Sequence, residues 1–233
     1  MLERLLDALA HPRVDGVLAS ADIMDDLVLL GALEGKVAVG TMNRGGLAGA
    51  TWELDDRFTA CDAAHLVSKR LDAGKMLLRL DNTDPSTAAT LHACAEAVGA
   101  LNDVGVMAMV EPIPYTKDAA GRAVGDPDPF QLVRAVGVCG ALGSSSAYTW
   151  LKIQATADIA RVAAMTTLPL LLLGGAPGPD PEVTFAQWER ALHEPTVRGL
   201  VVGRALLYPP DGDVASAVDR AAALVTAAAR DRA

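Results

Sequence analysis

Three side chains in this sequence have the types and the places that amine and acid–base chemistry needs: Lys152, Glu111 and Lys75. Lysine is scarce, five against fifteen arginines, so each one invites a reason. Lys152 lies inside TyrThrTrpLeuLysIle, a strand pattern in which period two puts Tyr148, Trp150 and Lys152 on one face. A lysine turned into a protein interior is costly unless it is paired or deprotonated. Desolvation lowers its pKa and makes the amine nucleophilic, fit for a Schiff base. A lysine that snorkels to the rim or pairs with a carboxylate fits the same pattern. Glu111 closes ValMetAlaMetValGlu before Pro112. A carboxylate at the C-terminal tip of a buried strand suits proton transfer, and a rim residue bonded to a neighbouring loop also suits that place. LysMetLeuLeuArgLeuAsp sets Lys75, Leu77, Arg79 and Asp81 on one face. Arg79 there can pair with Asp81 or with a substrate group, and a structural ion-pair layer is the alternative.

The elements that must position these groups alternate. Short apolar runs span Val14–Ala19, Lys36–Met42, Lys75–Asp81, Val106–Glu111, Tyr148–Ile153, Pro169–Gly174 and Gly199–Gly203. They are mostly continuous, the mark of parallel strands buried on both faces. Helical stretches separate them, and MLERLLDALAHPRVDG at the front is itself an amphipathic helix. Strand, helix, strand, helix predicts an α/β fold with a parallel sheet. Seven strand–helix pairs point to a single (β/α)8 barrel over residues 1–233 that lacks its first strand. Its unpaired edges, Val14–Ala19 and Gly199–Gly203, invite self-association into a homo-oligomer. The Gly/Pro-rich stretches Asn43–Asp56 and Pro112–Pro129 follow strands, where such folds place active sites.

Gly174–Gly175 and Gly203–Arg204 end the last two runs. Open glycine N–H groups and a guanidinium at those two strand ends make a phosphate site in many barrels. Asn43 and Arg44 follow another strand and could touch substrate, or simply form a turn. The four histidines lack HxH or HExxH spacing, so no metal is expected. No GxGxxG follows the first strand and no GxSxG occurs, so neither a nicotinamide cofactor nor a serine hydrolase has support. The formal charge of −9, with no Lys/Arg run, argues against nucleic acid. No apolar run approaches membrane-spanning length, and the start has no signal-peptide pattern, so a cytoplasmic protein is expected. Three widely spaced cysteines, Cys61, Cys94 and Cys139, suggest free thiols.

LysMetLeuLeuArgLeuAsp, MetValGluProIlePro and TrpLeuLysIle, in that order on successive strands, resemble the class I aldolases of the fructose-bisphosphate, tagatose-bisphosphate and deoxyribose-phosphate superfamily. The resemblance covers the whole chain and is closest to an actinobacterial (β/α)8 branch associated with inositol catabolism. It implies a TIM-barrel aldehyde-lyase that needs no cofactor and cleaves a phosphorylated ketose or deoxy-keto sugar acid. By that match Lys152 is the Schiff-base lysine, Glu111 the proton-transfer carboxylate and Lys75 an assisting lysine. Gly174, Gly175, Gly203 and Arg204 correspond to the phosphate grip, with Arg79, Asp81, Asn43 and Arg44 as further substrate contacts. The family opens with a strand ending in an acidic residue, whereas this sequence opens on a helix. LysIleGlnAla also lacks the charged residues that follow the lysine in the sugar-bisphosphate enzymes. A non-catalytic sugar-phosphate-binding or partner-dependent barrel, and a sugar-phosphate isomerase or transaldolase-like enzyme, are the competing expectations.

Overall fold

A strand covered by helices on one face and by a barrel interior on the other has no wet side, so its apolar run need not alternate. The computed structural model of the protein describes residues 1–43, 49–175 and 180–232. In chain order the elements are α1 (Leu2–Leu9), β1 (Gly16–Ala19), α2 (Ala21–Leu29), β2 (Val37–Thr41), α3 (Ala63–Ser68), β3 (Ala73–Leu80), α4 (Ser86–Asp103), β4 (Met107–Lys117), β5 (Ala123–Gly125), α5 (Pro129–Cys139), β6 (Thr149–Gln154), α6 (Ile159–Ala163), β7 (Leu170–Leu173), α7 (Pro181–Leu192), β8 (Val197–Val201), α8 (Arg204–Leu207) and α9 (Val214–Arg230). Strands β1, β2, β3, β4, β6, β7 and β8 lie side by side in that order, each pair parallel. The sheet curls into a nearly closed barrel flanked by helices, with seven parallel strands as expected.

Each strand separates two apolar shells. Outward residues such as Met76, Leu78, Val110, Leu151, Ile153, Leu170 and Leu172 meet the helices in the main core. Inward residues Val39, Ala73 and Met109, with Leu18, Met107, Leu171 and Val201, fill the barrel itself. The helices lie close to the sheet where side chains are absent. A Cβ at Gly74 would fall 2.5 Å from Met42 Sδ and 2.7 Å from Leu66 Cδ1, so only glycine lets α3 lie this near β3. Helix starts are set by aspartates: Asp62, Asp128, Asp180 and Asp213 each accept a backbone N–H in the first turn of their helix.

Strand β4 departs from expectation. It does not stop at Glu111 but runs through Pro112 and Pro114 to Lys117, and β5 returns against it as an antiparallel hairpin. The Pro112–Pro129 stretch is therefore partly strand, and Glu111 sits within β4, not at its tip. Proline lacks the N–H that a ladder needs. In β4 the odd residues turn their N–H toward β3, as Met107 does to Asp72, and the even ones toward β6, as Ala108 does to Tyr148. Pairing with β6 ends at Val110. Both prolines thus face the side with no ladder to break.

The long β2–α3 connection is fastened over the barrel by two buried groups. Asn43 donates to the Leu77 and Asp56 carbonyls at 2.7 and 3.2 Å and accepts from Leu77 N at 2.6 Å. It extends the β2–β3 ladder beyond the strand. Asp56, with no exposed surface, takes Arg79 Nη2 at 2.6 Å and Nε at 3.1 Å. Burial weakens the Arg79 guanidinium, but Asp56 outweighs it and raises its pKa.

Strands β1 and β8 are the ends of the sheet, and among the described residues no ladder joins them. The seam is bridged from outside. Ala8 of α1 packs with Val214 and Val218 of α9, and Arg4 Nη1 donates to the Leu207 carbonyl at 2.9 Å.

Two outcomes follow from these contacts. Asp56→Ala strands a buried guanidinium and lowers stability by about 3–5 kcal/mol in denaturant unfolding; a loss under about 1 kcal/mol would mean that Arg79 is solvated. Where the α1–α9 bridge leaves the β1 and β8 edges without a ladder partner, the expected outcome is self-association of the 24.1 kDa chain. Light scattering after size exclusion checks this, and a monodisperse, heat-stable monomer contradicts it.

Candidate active site

Three adjacent strands in the middle of the sheet bring the lysines and the glutamate together. On β3, Lys75 is in register with Thr41 of β2 and Met109 of β4. On β4, Glu111 is one pleat above Met109 and in register with Leu77. On β6, Trp150 is in register with Met109, which lifts Lys152, one pleat higher, to the level of Glu111. Inward alternation does the rest. Glu111 Oε2 lies 2.6 Å from Lys75 Nζ, and Oε1 lies 3.0 Å from Lys152 Nζ. Lys75 and Glu111 are buried, at 9% and 7% exposure, and the Lys152 side chain is nearly so at 13%. Below them the apolar plug of Val39, Ala73 and Met109 fills the barrel, so the cluster lies on the side of the C-terminal ends of the strands.

The electrostatics follow from two cations sharing one anion in a dry place. Burial is the largest influence on Lys152 and pushes its pKa down. The Lys75 charge adds to this, while Glu111 opposes it, and the outcome lies below the ordinary lysine range. Burial alone would raise Glu111. The two ammonium groups outweigh it, and its pKa falls below the usual carboxylate value. The result is an amine that gives up its proton readily, beside a carboxylate within hydrogen-bonding reach and a second ammonium that keeps that carboxylate ionised.

The remaining expected residues divide. Gly174 and Gly175 follow β7, and Gly203 and Arg204 follow β8, the strand beside it. Arg204 Nη2 donates to the Gly175 carbonyl at 3.3 Å, and Gly175 has a φ of 64°, a backbone state that glycine adopts without strain. No carboxylate among the described residues pairs with Arg204. Arg79 is committed to Asp56 and stacks over the Tyr115 ring at 5.4 Å; Asp81 is not its partner. Asn43 is saturated by backbone groups. Asp81 lies past the end of β3, where its Oδ1 accepts from Thr83 N and Oγ1 at 2.8 and 2.7 Å. It borders a separate cavity of about 210 Å³ with Thr87, Gln131 and Arg134, away from the lysines. Arg44 lies outside the described residues.

Two residues were not singled out by the sequence. Asp56 carries no spacing signal, because it reaches Arg79 across 23 positions; the need of an inward arginine for an anion is the only hint. Gln154 had a clear one. It is the next inward position after Lys152, and among the described residues its amide has no hydrogen-bond partner.

The sequence matches the Cgl0159-like family over residues 1–222. It is 47% identical to Cgl0159 from Corynebacterium glutamicum, whose crystal structure superposes with a TM-score of 0.93 over 97% of this chain and 76% of that one. At 18% identity and a TM-score of 0.72 it resembles a Schiff-base-forming fructose-1,6-bisphosphate aldolase, over 96% of this chain and 82% of that one. An archaeal fructose 1,6-bisphosphate aldolase gives 17% and 0.66, over 97% and 99%. At these identities the two aldolases are alike in fold. No curated protein matches. The match across nearly the full length, with the identity to Cgl0159, means that the chain belongs to the Cgl0159-like family.

Proposed function

We propose that this protein is a class I aldolase that cleaves a phosphorylated ketose, or a deoxy-keto sugar acid phosphate, through a Schiff base on Lys152. The observation that carries this reading is Glu111 held between Lys75 and Lys152 at 2.6 and 3.0 Å inside the barrel. The neutral Lys152 amine adds to the substrate ketone to give a carbinolamine. Glu111, bonded to that nitrogen, passes a proton taken up from solvent to the departing hydroxyl, and water leaves as the nitrogen lone pair closes the C=N bond with its N–H kept. The resulting iminium is an electron sink. The Glu111 carboxylate takes the proton from the hydroxyl on the far carbon of the bond to be broken, and can return it to the enamine carbon later. The carbonyl product departs, and the bonding pair passes into an enamine. Protonation of the enamine carbon and hydrolysis of the iminium release the second product and return Lys152.

Lys75 does not react in this scheme. Its charge holds Lys152 toward the neutral amine and Glu111 toward the carboxylate. Gly174, Gly175, Gly203 and Arg204 hold the phosphate, and that remote binding energy positions the ketone. The overall acidic charge disfavours an anionic substrate at long range, so these local donors carry the affinity. The reaction class fits the aldehyde-lyases, and inositol or sugar catabolism is a natural setting for it.

Borohydride reduction in the presence of dihydroxyacetone phosphate leaves a reduced adduct on Lys152, found by peptide mass spectrometry. A modified Lys75, or no adduct on either lysine, refutes the assignment. Trapping accelerates as pH rises through the lowered Lys152 pKa, because only the neutral amine attacks. Lys75→Met moves that limb to higher pH, since a neighbouring positive charge is lost. Glu111→Gln moves it to lower pH, since the stabilising anion is lost, and it slows turnover by about 10²–10⁴-fold. Rate–pH profiles of the two variants check both directions, and limbs that stay in place would mean that the three groups are not coupled.

A further inference from the structure

Resting on the aldolase reading, we infer that the substrate carries a single phosphate, and that Gln154 binds its unphosphorylated part. The first support is a count of free cations around the strand ends. A phosphate ester carries about two negative charges at neutral pH, and an uncommitted cation makes the strongest hydrogen bonds to it. Among the described residues the basic groups there are mostly taken. Lys75 and Lys152 share Glu111. Arg79 is held by Asp56, Lys117 by Asp84 at 3.1 Å, Arg57 by Asp55 at 2.8 Å, and Arg122 by Asp118 at 2.7 Å. Arg204 contacts only the Gly175 carbonyl, and it lies beside the paired glycines. Arg134 also lacks a carboxylate, bonding only Gln131 Oε1 at 3.3 Å, but it lines the separate cavity beside Asp81; beside the lysines, the described residues leave one anion grip, where a bisphosphate is best held by two.

The second support is Gln154. Leu151 and Ile153 are fully buried against the helices, so Trp150, Lys152 and Gln154 face inward. Gln154 is one pleat above Lys152, toward the mouth of the barrel, and in register with Leu173 just before Gly174. Its side chain is half-buried and unpartnered among the described residues. A primary amide in that place offers two donors and an acceptor to hydroxyl or carboxyl oxygens. It supplies no charge with which to hold a second phosphate dianion.

Fructose 1-phosphate and fructose 1,6-bisphosphate share the ketone and the first phosphate and differ only at the far end, so they are the probes. Borohydride trapping on Lys152 should be at least about tenfold faster with the monophosphate. Gln154→Arg should bring the bisphosphate level with it. Gln154→Met should raise KM for the monophosphate by about tenfold while kcat changes little and the Lys152 adduct still forms. Equal or faster trapping of the bisphosphate by the unmodified protein overturns the inference and leaves the Schiff base standing. Bisphosphate trapping that Arg44→Ala abolishes would put a second grip on that loop and overturns it likewise. An absence of adduct with both sugars removes the aldolase reading itself, and this inference with it.

Discussion

Two ammonium groups inside a barrel of apolar strands need an anion within reach, and Glu111 is that anion. Removing either lysine would leave the carboxylate with one partner; removing the carboxylate would leave two like charges facing each other in a place of low dielectric. The arrangement is therefore a constraint on the sheet before it is a catalyst. It requires β3, β4 and β6 to be neighbours, with Glu111 one register step above Met109 and Lys152 one step above Trp150. A slip of one residue on any of these strands would turn its charged side chain into the helical core. Burial first, and then the second cation Lys75, keeps Lys152 below its ordinary pKa against the pull of Glu111. Without Lys75 the pull of Glu111 toward the ammonium would be opposed by burial alone.

The rest of the site follows from a second imbalance. The chain is acidic overall, with a net charge of −9, yet its expected ligand is an anion. Most cations near the strand ends are neutralised by carboxylates that belong to loops: Asp56 to Arg79 and Asp84 to Lys117. Such pairs hold the loops in place over the barrel and remove basic groups from the pool available to substrate. Arg204 escapes because β8 is followed by glycine and arginine with no acid nearby. In the proposed reading, anion binding thus rests on a locally unpaired arginine, and not on the field of the molecule.

Much of this was legible in the sequence because parallel strands announce themselves. Seven continuous apolar runs gave the strand number, and period two within TyrThrTrpLeuLysIle gave the inward face of β6, with Lys152 on it. The lysine scarcity narrowed the choice further. Strand β4 was less legible. Prolines at 112 and 114 ordinarily end a strand, and they are tolerated only because β6 stops pairing at Val110, a fact about a neighbour 40 residues away. Arg79 and Asp81 looked like a same-face pair, since alternation assumes that the strand continues. It ends at Leu80, Asp81 turns into the following loop, and Arg79 takes its counter-ion from Asp56. Asn43 looked like a loop residue free to touch a ligand, but its side chain is used as a piece of backbone. Pattern arguments predict directions well while an element lasts and fail at its ends, where non-local partners decide.

The seam between β1 and β8 bears unequally on the two halves of the site. Glu111 belongs to β4, the central strand of the seven, and its two lysines belong to the strands on either side of it. Each of those strands is hydrogen-bonded on both sides, so the spacing of the charged trio is fixed by ladders that never reach the seam. The proposed phosphate grip is placed differently. Gly203 and Arg204 follow β8, which has a strand partner on one side only, and their position relies on α1 and α9 packing across the gap. Opening or strain at the seam would therefore fall on the proposed phosphate grip first. Lys152 on β6 is separated from the β8 edge by β7, and Lys75 on β3 from the β1 edge by β2, so the geometry of the proposed Schiff-base centre does not depend on the seam directly.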